Sequence, residues 1–124
     1  MGNDLSECSH GNCFEVAYHF FDDNYSRGNF VLVHGYVSGQ GKLSGFKYVH
    51  AWVEDIDHNL VYDLTQKGLY QVVAMDFYYQ LGKIKTFEII KYNHQQVLNE
   101  IKKNPVYGPW SDKFQEPYYK VGNE

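Results

Sequence analysis

The chain has 124 residues, the size of one ordinary domain, and we expect residues 1–124 to form a single domain. Eleven Lys and Arg residues against fifteen Asp and Glu residues give a net charge of −4, without the basic excess that nucleic-acid binding requires. An aromatic content of 18% is too high for a disordered chain. With two cysteines, no signal pattern and no apolar run approaching ~20 residues, we expect a cytoplasmic protein with neither a nucleic-acid nor a membrane partner.

The first predicted element is a helix near the N-terminus. It begins at about Asn12, a residue type that favours helix N-termini, and runs to Phe21 before polar residues and Gly28 end it. Phe14, Ala17 and Phe21 recur at helical spacing. This spacing is typical of a helix that packs against a core.

Strand-type patterns follow the helix. Residues 29–37 are rich in β-branched and aromatic side chains, and residues 46–56 alternate between apolar and polar side chains. The glycine-rich residues 38–45 are predicted to connect these strands beside a site, without the pattern of a phosphate-binding loop. Residues 60–65 follow a short turn, which predicts a β-hairpin with residues 46–56. Further strands are predicted over residues 69–75 and 83–92.

Two helices are predicted in the second half of the chain. Asp76 is expected to cap a short helix over residues 77–81, and residues 93–96 (Asn-His-Gln-Gln) have the form of a capping box for a second helix. The tail from Pro105 is expected to lie irregularly against the body. One early helix followed by sequential strands predicts an α+β fold, in which the N-terminal helix packs on an antiparallel sheet.

Cys13 lies in the first turn of the predicted N-terminal helix. The unpaired backbone N–H groups and the positive end of the helix dipole both favour a thiolate at this position. A thiolate is the nucleophilic form of cysteine, so Cys13 is a candidate nucleophile. The structural alternative is a small buried core residue, which is the commonest role of a free cysteine.

His50 and Asp63 fall on the two strands of the predicted hairpin. An even number of loop residues would place both side chains on one face. A turn centred on residues 56–57 would make them direct neighbours at ~5 Å, whereas one centred on residues 57–58 would make them diagonal neighbours at about 7 Å. A histidine that is oriented by a carboxylate and faces a thiol is the arrangement used in nucleophilic acyl transfer.

Three segments carry a family resemblance through their order along the chain. These are residues 11–17 (Gly-Asn-Cys-Phe-Glu-Val-Ala), residues 50–54 (His-Ala-Trp-Val-Glu) and residues 61–65 (Val-Tyr-Asp-Leu-Thr). They resemble the core of transglutaminase-like proteins in the papain-like cysteine hydrolase superfamily, in which a cysteine opens a helix, a histidine begins a strand and an aspartate ends the next strand. The chain is also similar to small uncharacterised phage and bacterial proteins that combine this core with a Gly-Pro-Trp tail, found here at residues 108–110.

The resemblance implies a papain/transglutaminase-like domain and a role for each of three residues. Cys13 would be the nucleophile, His50 the general base and acid, and Asp63 the group that orients His50. The implied activity is that of a small hydrolase or acyltransferase acting through a thioester, without a cofactor. Its substrate would be a peptide, a protein or a small amide or ester.

Two departures from the family pattern concern the details of the site. Leu64 replaces the proline that commonly follows the aspartate, and no glutamine precedes Cys13 to act as the second oxyanion donor. The candidates for this donor and for substrate binding are Asn12, Gln40 and Trp52, with no ranking among them. Losing one oxyanion donor typically costs ~10²–10³ in rate.

Alternative roles are open for the whole chain and for two of its clusters. The same fold could serve a non-catalytic binding or accessory protein, including a phage-encoded one whose partner is a host protein. Cys8, His10 and Cys13 provide three possible ligands, but a structural zinc usually takes four in two pairs, so we expect no metal site. Glu54, Asp55 and Asp57 are interpreted as a solvated hairpin end.

Overall fold

The structure is a computed structural model that describes residues 12–39, 44–64 and 70–121. Within these ranges the regular elements, in chain order, are α1 (Asn12–Asn24), β1 (Phe30–Ser38), β2 (Phe46–Asp55), β3 (Leu60–Leu64), β4 (Tyr70–Ala74), α2 (Met75–Leu81), β5 (Ile89–Tyr92), α3 (His94–Lys103) and β6 (Tyr118–Lys120). The predicted α+β class is confirmed, with an N-terminal helix and an antiparallel sheet. In the described part of the chain, no helix is long and apolar enough to cross a membrane.

The described strands form one six-stranded sheet in the order β4-β3-β2-β1-β5, with β6 also paired to β2. Strand β1 follows one edge of β2 from Lys47 to Asp55. The other edge of β2 is shared, because β6 pairs with Phe46–Tyr48 and β3 pairs with Val53–Asp55. Between these two partners the ladder on this edge is interrupted at residues 50–52.

Helix α1 packs on one face of the sheet. Its apolar face buries Phe14, Ala17 and Phe21 completely or nearly so, as the helical spacing predicts. These side chains pack with Ala51 and Val53 of β2. The remaining buried members of this cluster are Cys13, Leu32, Tyr92 and Val97.

Helix α2 covers the opposite face of the sheet. A second buried cluster there contains Val33, Val37, Trp52, Val61 and Ile84. The α2 side chains that pack against this cluster are Met75, Tyr78 and Tyr79. The sheet is therefore held between helices, and each face has its own apolar cluster.

Several predicted boundaries differ from those in the structure. Helix α1 continues to Asn24, and α2 begins at Met75 with Ala74 as its N-cap, so Asp76 lies in the first turn rather than at the cap. An acidic residue in the first turn is still favourable, because it faces the positive end of the helix dipole. Of the predicted strand over residues 83–92, only Ile89–Tyr92 forms a strand, and it follows a 3₁₀ turn at Thr86–Glu88.

The C-terminal tail differs more from the prediction. It was expected to be irregular, but Tyr118–Lys120 forms β6 on the edge of β2. By contrast, the predicted capping box at the start of α3 is confirmed. The Asn93 side chain accepts the Gln96 backbone N–H at 2.9 Å, and the Gln96 side chain accepts the Asn93 N–H at 2.8 Å.

Candidate active site

Cys13 is the second residue of α1 and is almost completely buried, with 3% of its surface exposed. The backbone N–H groups of a first helical turn have no partners within the helix, and they point towards the start of the helix together with the positive end of its dipole. Both effects favour negative charge on a sulfur at this position. The helix therefore supplies the electrostatic environment that a thiolate requires.

His50 of β2 connects this thiol to a carboxylate. Its Nε2 lies 3.0 Å from Oδ1 of Asp63, and its side chain is 4% exposed. The ring also has a hydrogen bond to Cys13, for which Nδ1 is the nitrogen that remains. The structure thus brings together the cysteine, histidine and aspartate that the sequence singled out.

The pairing of β2 with β3 accounts for the contact between His50 and Asp63. Val53 is opposite Tyr62 in this ladder, which corresponds to the predicted turn centred on residues 57–58. His50 and Asp63 are therefore diagonal rather than direct neighbours. Since the ladder ends at Val53, Asp63 lies just beyond the last paired position and its side chain can turn towards His50.

Cys13 and His50 come from elements that pack mainly with opposite faces of the sheet. His50 is paired with Gly35 and shares a face with Trp52, whereas α1 packs on the face that carries Ala51. Tyr48, two residues before His50, packs against both apolar clusters.

The charges in this cluster support one another. Burial acts to lower the pKa of His50, but the charges of Asp63 and Cys13 and the hydrogen bonds to both outweigh it and hold this pKa well above its ordinary value. Burial likewise acts to raise the pKa of Asp63, but His50, the Tyr78 hydroxyl and the Leu64 N–H together hold it below its ordinary value. The favoured state of His50 and Asp63 is therefore an imidazolium beside a carboxylate.

Tyr78 is a site residue that the sequence analysis missed. Its hydroxyl donates to Oδ2 of Asp63 at 2.8 Å, so the two carboxylate oxygens of Asp63 have different partners. Tyr78 belongs to an aromatic run over residues 77–79, of which Phe77 is exposed. No local pattern distinguishes a tyrosine that bonds a carboxylate from one that only packs.

The three candidates for substrate binding have different outcomes. Trp52 is completely buried, and its indole N–H donates to Oε2 of Glu54 at 3.0 Å. This hydrogen bond occupies the indole donor that was considered for the oxyanion. The side chain of Asn12 and the whole of Gln40 lie outside the described residues.

The prediction of a solvated hairpin end is wrong for Glu54 and Asp55, which are both buried, and is confirmed for Asp57, which is exposed. Glu54 accepts hydrogen bonds from Trp52 and from the Tyr79 hydroxyl, the latter at 2.5 Å, and its Oε1 lies 2.9 Å from Nζ of Lys91. The carboxylate is buried because α2 covers this position of β2. Its partners compensate for the loss of water.

Among the described residues, no group of three His, Cys, Asp or Glu side chains could hold a metal ion. Cys8 and His10, which completed the cluster considered above, lie outside those residues.

Comparison of the chain with family models, curated proteins and solved structures finds no match.

Proposed function

We propose that this protein is a small cysteine hydrolase or acyltransferase with a papain/transglutaminase-like core, and that it acts on an amide or ester through Cys13, His50 and Asp63. The observation that carries this proposal is the position of His50, which is hydrogen-bonded to Cys13 and lies 3.0 Å from Asp63. A thiol that only fills space in a core has no need of a histidine that a carboxylate orients.

In the proposed first step, the Cys13 sulfur attacks the carbonyl carbon of the substrate and forms a carbon–sulfur bond. The backbone N–H of Cys13, in the first turn of α1, is one donor to the oxyanion that develops. The imidazolium of His50 then gives its proton to the departing nitrogen or oxygen as its bond to carbon breaks. A thioester on Cys13 and a neutral His50 result.

In the proposed second step, His50 accepts a proton from water or from an amine as that nucleophile attacks the thioester. The carbon–sulfur bond breaks and Cys13 leaves as a thiolate, again paired with the imidazolium. Asp63 stays ionised throughout, because its pKa is held low, and it keeps Nε2 of His50 protonated. Water as the nucleophile gives hydrolysis, and an amine gives acyl transfer.

The second candidate is a binding or accessory protein that has this arrangement without turnover. The observation that favours it is the burial of the reactive pair, since Cys13 is 3% and His50 4% exposed. Such a protein would bind a partner, for example a host protein if it is phage-encoded, without forming a covalent intermediate. Formation of an acyl-enzyme therefore distinguishes the two candidates.

We would test the proposal by trapping the acyl-enzyme with p-nitrophenyl acetate as the probe. The experiment uses Cys8→Ser as the background, so that Cys13 is the only thiol. Intact-mass spectrometry should show one acetyl group on Cys13, formed about 10²–10⁴-fold more slowly after His50→Ala. His19→Ala is the matched control, because His19 lies on the exposed face of α1.

The result that contradicts the proposal is acetylation of Cys13 at the same rate with and without His50. If the acetyl-enzyme forms and then decays, adding an amine distinguishes the two reaction types. Faster decay with a new amide as the product indicates acyl transfer, and an unchanged decay indicates hydrolysis.

A further inference from the structure

We propose that Tyr78 is a positioning residue for the proposed catalytic group, holding the Asp63 carboxylate in the orientation that His50 requires. This inference rests on the proposed function. It assigns a task to the hydroxyl group that donates to Asp63, and it makes α2 part of the site.

The hydrogen bonds of Asp63 are the first support for this role. Oδ1 lies 3.0 Å from Nε2 of His50, and Oδ2 accepts the Tyr78 hydroxyl at 2.8 Å. The Asp63 side chain is 27% exposed, so water reaches the carboxylate and competes for it. Together with the Leu64 N–H, the Tyr78 hydroxyl limits the rotation of the carboxylate and keeps Oδ1 directed at the imidazole.

The attachment of α2 to the sheet is the second support. The ring of Tyr78 packs 5.4 Å from that of Trp52, and the next residue, Tyr79, donates its hydroxyl to the buried Glu54. The backbone N–H of Met75 also donates to the Asn59 carbonyl at 2.9 Å. The helix is thus fixed at its start and along its inner face, so the Tyr78 hydroxyl has a defined position.

Tyr79 provides a matched control for the experiment. Tyr78→Phe and Tyr79→Phe each remove one oxygen from the same helix, and each breaks one hydrogen bond from a phenol to a carboxylate. Only the first of these carboxylates belongs to the proposed catalytic group. Both variants keep the aromatic ring and hence its packing.

We would measure the rate at which iodoacetamide alkylates Cys13 as a function of pH, in a Cys8→Ser background, and follow the His50 ring by NMR. In Tyr78→Phe we expect about a tenfold slower alkylation of Cys13 at neutral pH and a lower pKa for His50. The reason is that a carboxylate no longer held towards the imidazole stabilises the imidazolium less. In Tyr79→Phe, Cys13 should be alkylated at the same rate as in the Cys8→Ser protein without this substitution. Urea unfolding gives the free energy of unfolding of both variants. If both lose similar stability but only Tyr78→Phe slows the alkylation of Cys13, lost stability does not account for the slower reaction.

Two results would overturn the inference. If Cys13 is alkylated at the same rate in Tyr78→Phe and in Tyr79→Phe, the Tyr78 hydroxyl has no role in the site. If Tyr78→Phe instead raises the pKa of His50, the hydroxyl only withdraws charge from Asp63 and does not position it. Neither result affects the proposed function, which fails separately if Cys13 is already unreactive in the unsubstituted protein.

Discussion

His34 gives the structure a specific sensitivity to acid. It lies completely buried in β1, with ring centroids 4.8 Å from Phe14, 5.2 Å from Tyr92 and 4.9 Å from Trp110. Among the described residues, neither of its ring nitrogens has a hydrogen-bond partner. Burial, together with the charge of His50, lowers the pKa of His34 to about 3.

The size of the effect follows from the two pKa values. A histidine in the unfolded chain titrates near ~6.5, so between this pH and about 3 the unfolded state binds a proton that the folded state excludes. Stability is therefore lost as the pH falls through this window. Between pH ~7 and ~4.5 the loss attributable to His34 is about 2.5 kcal/mol.

Asp63 and His50, whose pKa values are also shifted, act mainly outside this interval. The low pKa of Asp63 gives stability that is lost only as the pH falls below the ordinary range of aspartate, near ~3.9. The raised pKa of His50 gives stability that is fully present below pH ~6.5 and is lost at higher pH. The slope of the free energy of unfolding against pH in the middle of the interval therefore reports on His34.

Urea unfolding at the two pH values, monitored by tryptophan fluorescence, measures this loss. The free energy of unfolding of the unsubstituted chain should fall by the full amount of about 2.5 kcal/mol between the two pH values, and that of His34→Leu should fall much less. His19→Ala should behave like the unsubstituted chain, because His19 is exposed. An equal loss in His34→Leu would refute the reasoning. If that variant does not fold, NMR of the unsubstituted protein decides, because the His34 ring should not titrate between pH ~7 and ~4.5.

Three substitutions test the packing around the site. A Cβ at Gly35 would lie 2.4 Å from Cγ2 of Ile89, so Gly35→Ala should cost about 1–3 kcal/mol in thermal unfolding, and a neutral result would contradict the tight contact. Asn93→Ala removes the capping box of α3 and should cost about 1 kcal/mol, measured by urea unfolding; no change would mean that the cap contributes nothing. Glu54→Gln replaces a buried carboxylate, whose ion-pair partner Lys91 is partly exposed, and should cost about 1–3 kcal/mol, whereas Glu100→Gln, in a more exposed pair, should cost less than about 1 kcal/mol. Equal costs for the last two variants would contradict a role for the buried Glu54 carboxylate.

The parts of the fold that could be predicted are those that local sequence patterns determine. The spacing of Phe14, Ala17 and Phe21 predicts α1 and its buried face, and alternation predicts the hairpin of β2 and β3. Both registers that were considered put His50 and Asp63 on one face. The pairing of these two side chains was therefore accessible from the sequence.

The parts that could not be predicted depend on contacts between distant segments. Strand β6 has only three residues, and it pairs with the edge of β2, which lies more than 60 residues earlier in the chain. Glu54 was expected to be solvated, because acidic residues near a turn usually are, but Tyr79 and Lys91 bond it from later elements. The bond from Tyr78 to Asp63 likewise requires α2 to fold back over the sheet.

The central claim is that Cys13 and His50 form an ion pair, and the pH dependence of Cys13 alkylation tests it most directly. The measurement compares Cys8→Ser with the double variant Cys8→Ser, His50→Ala. An ordinary cysteine titrates near ~8.5. The ion pair predicts an apparent pKa well below that value, which rises when His50 is removed. An ordinary or elevated pKa that does not change on removal of His50 would contradict the ion pair and, with it, the proposed enzyme.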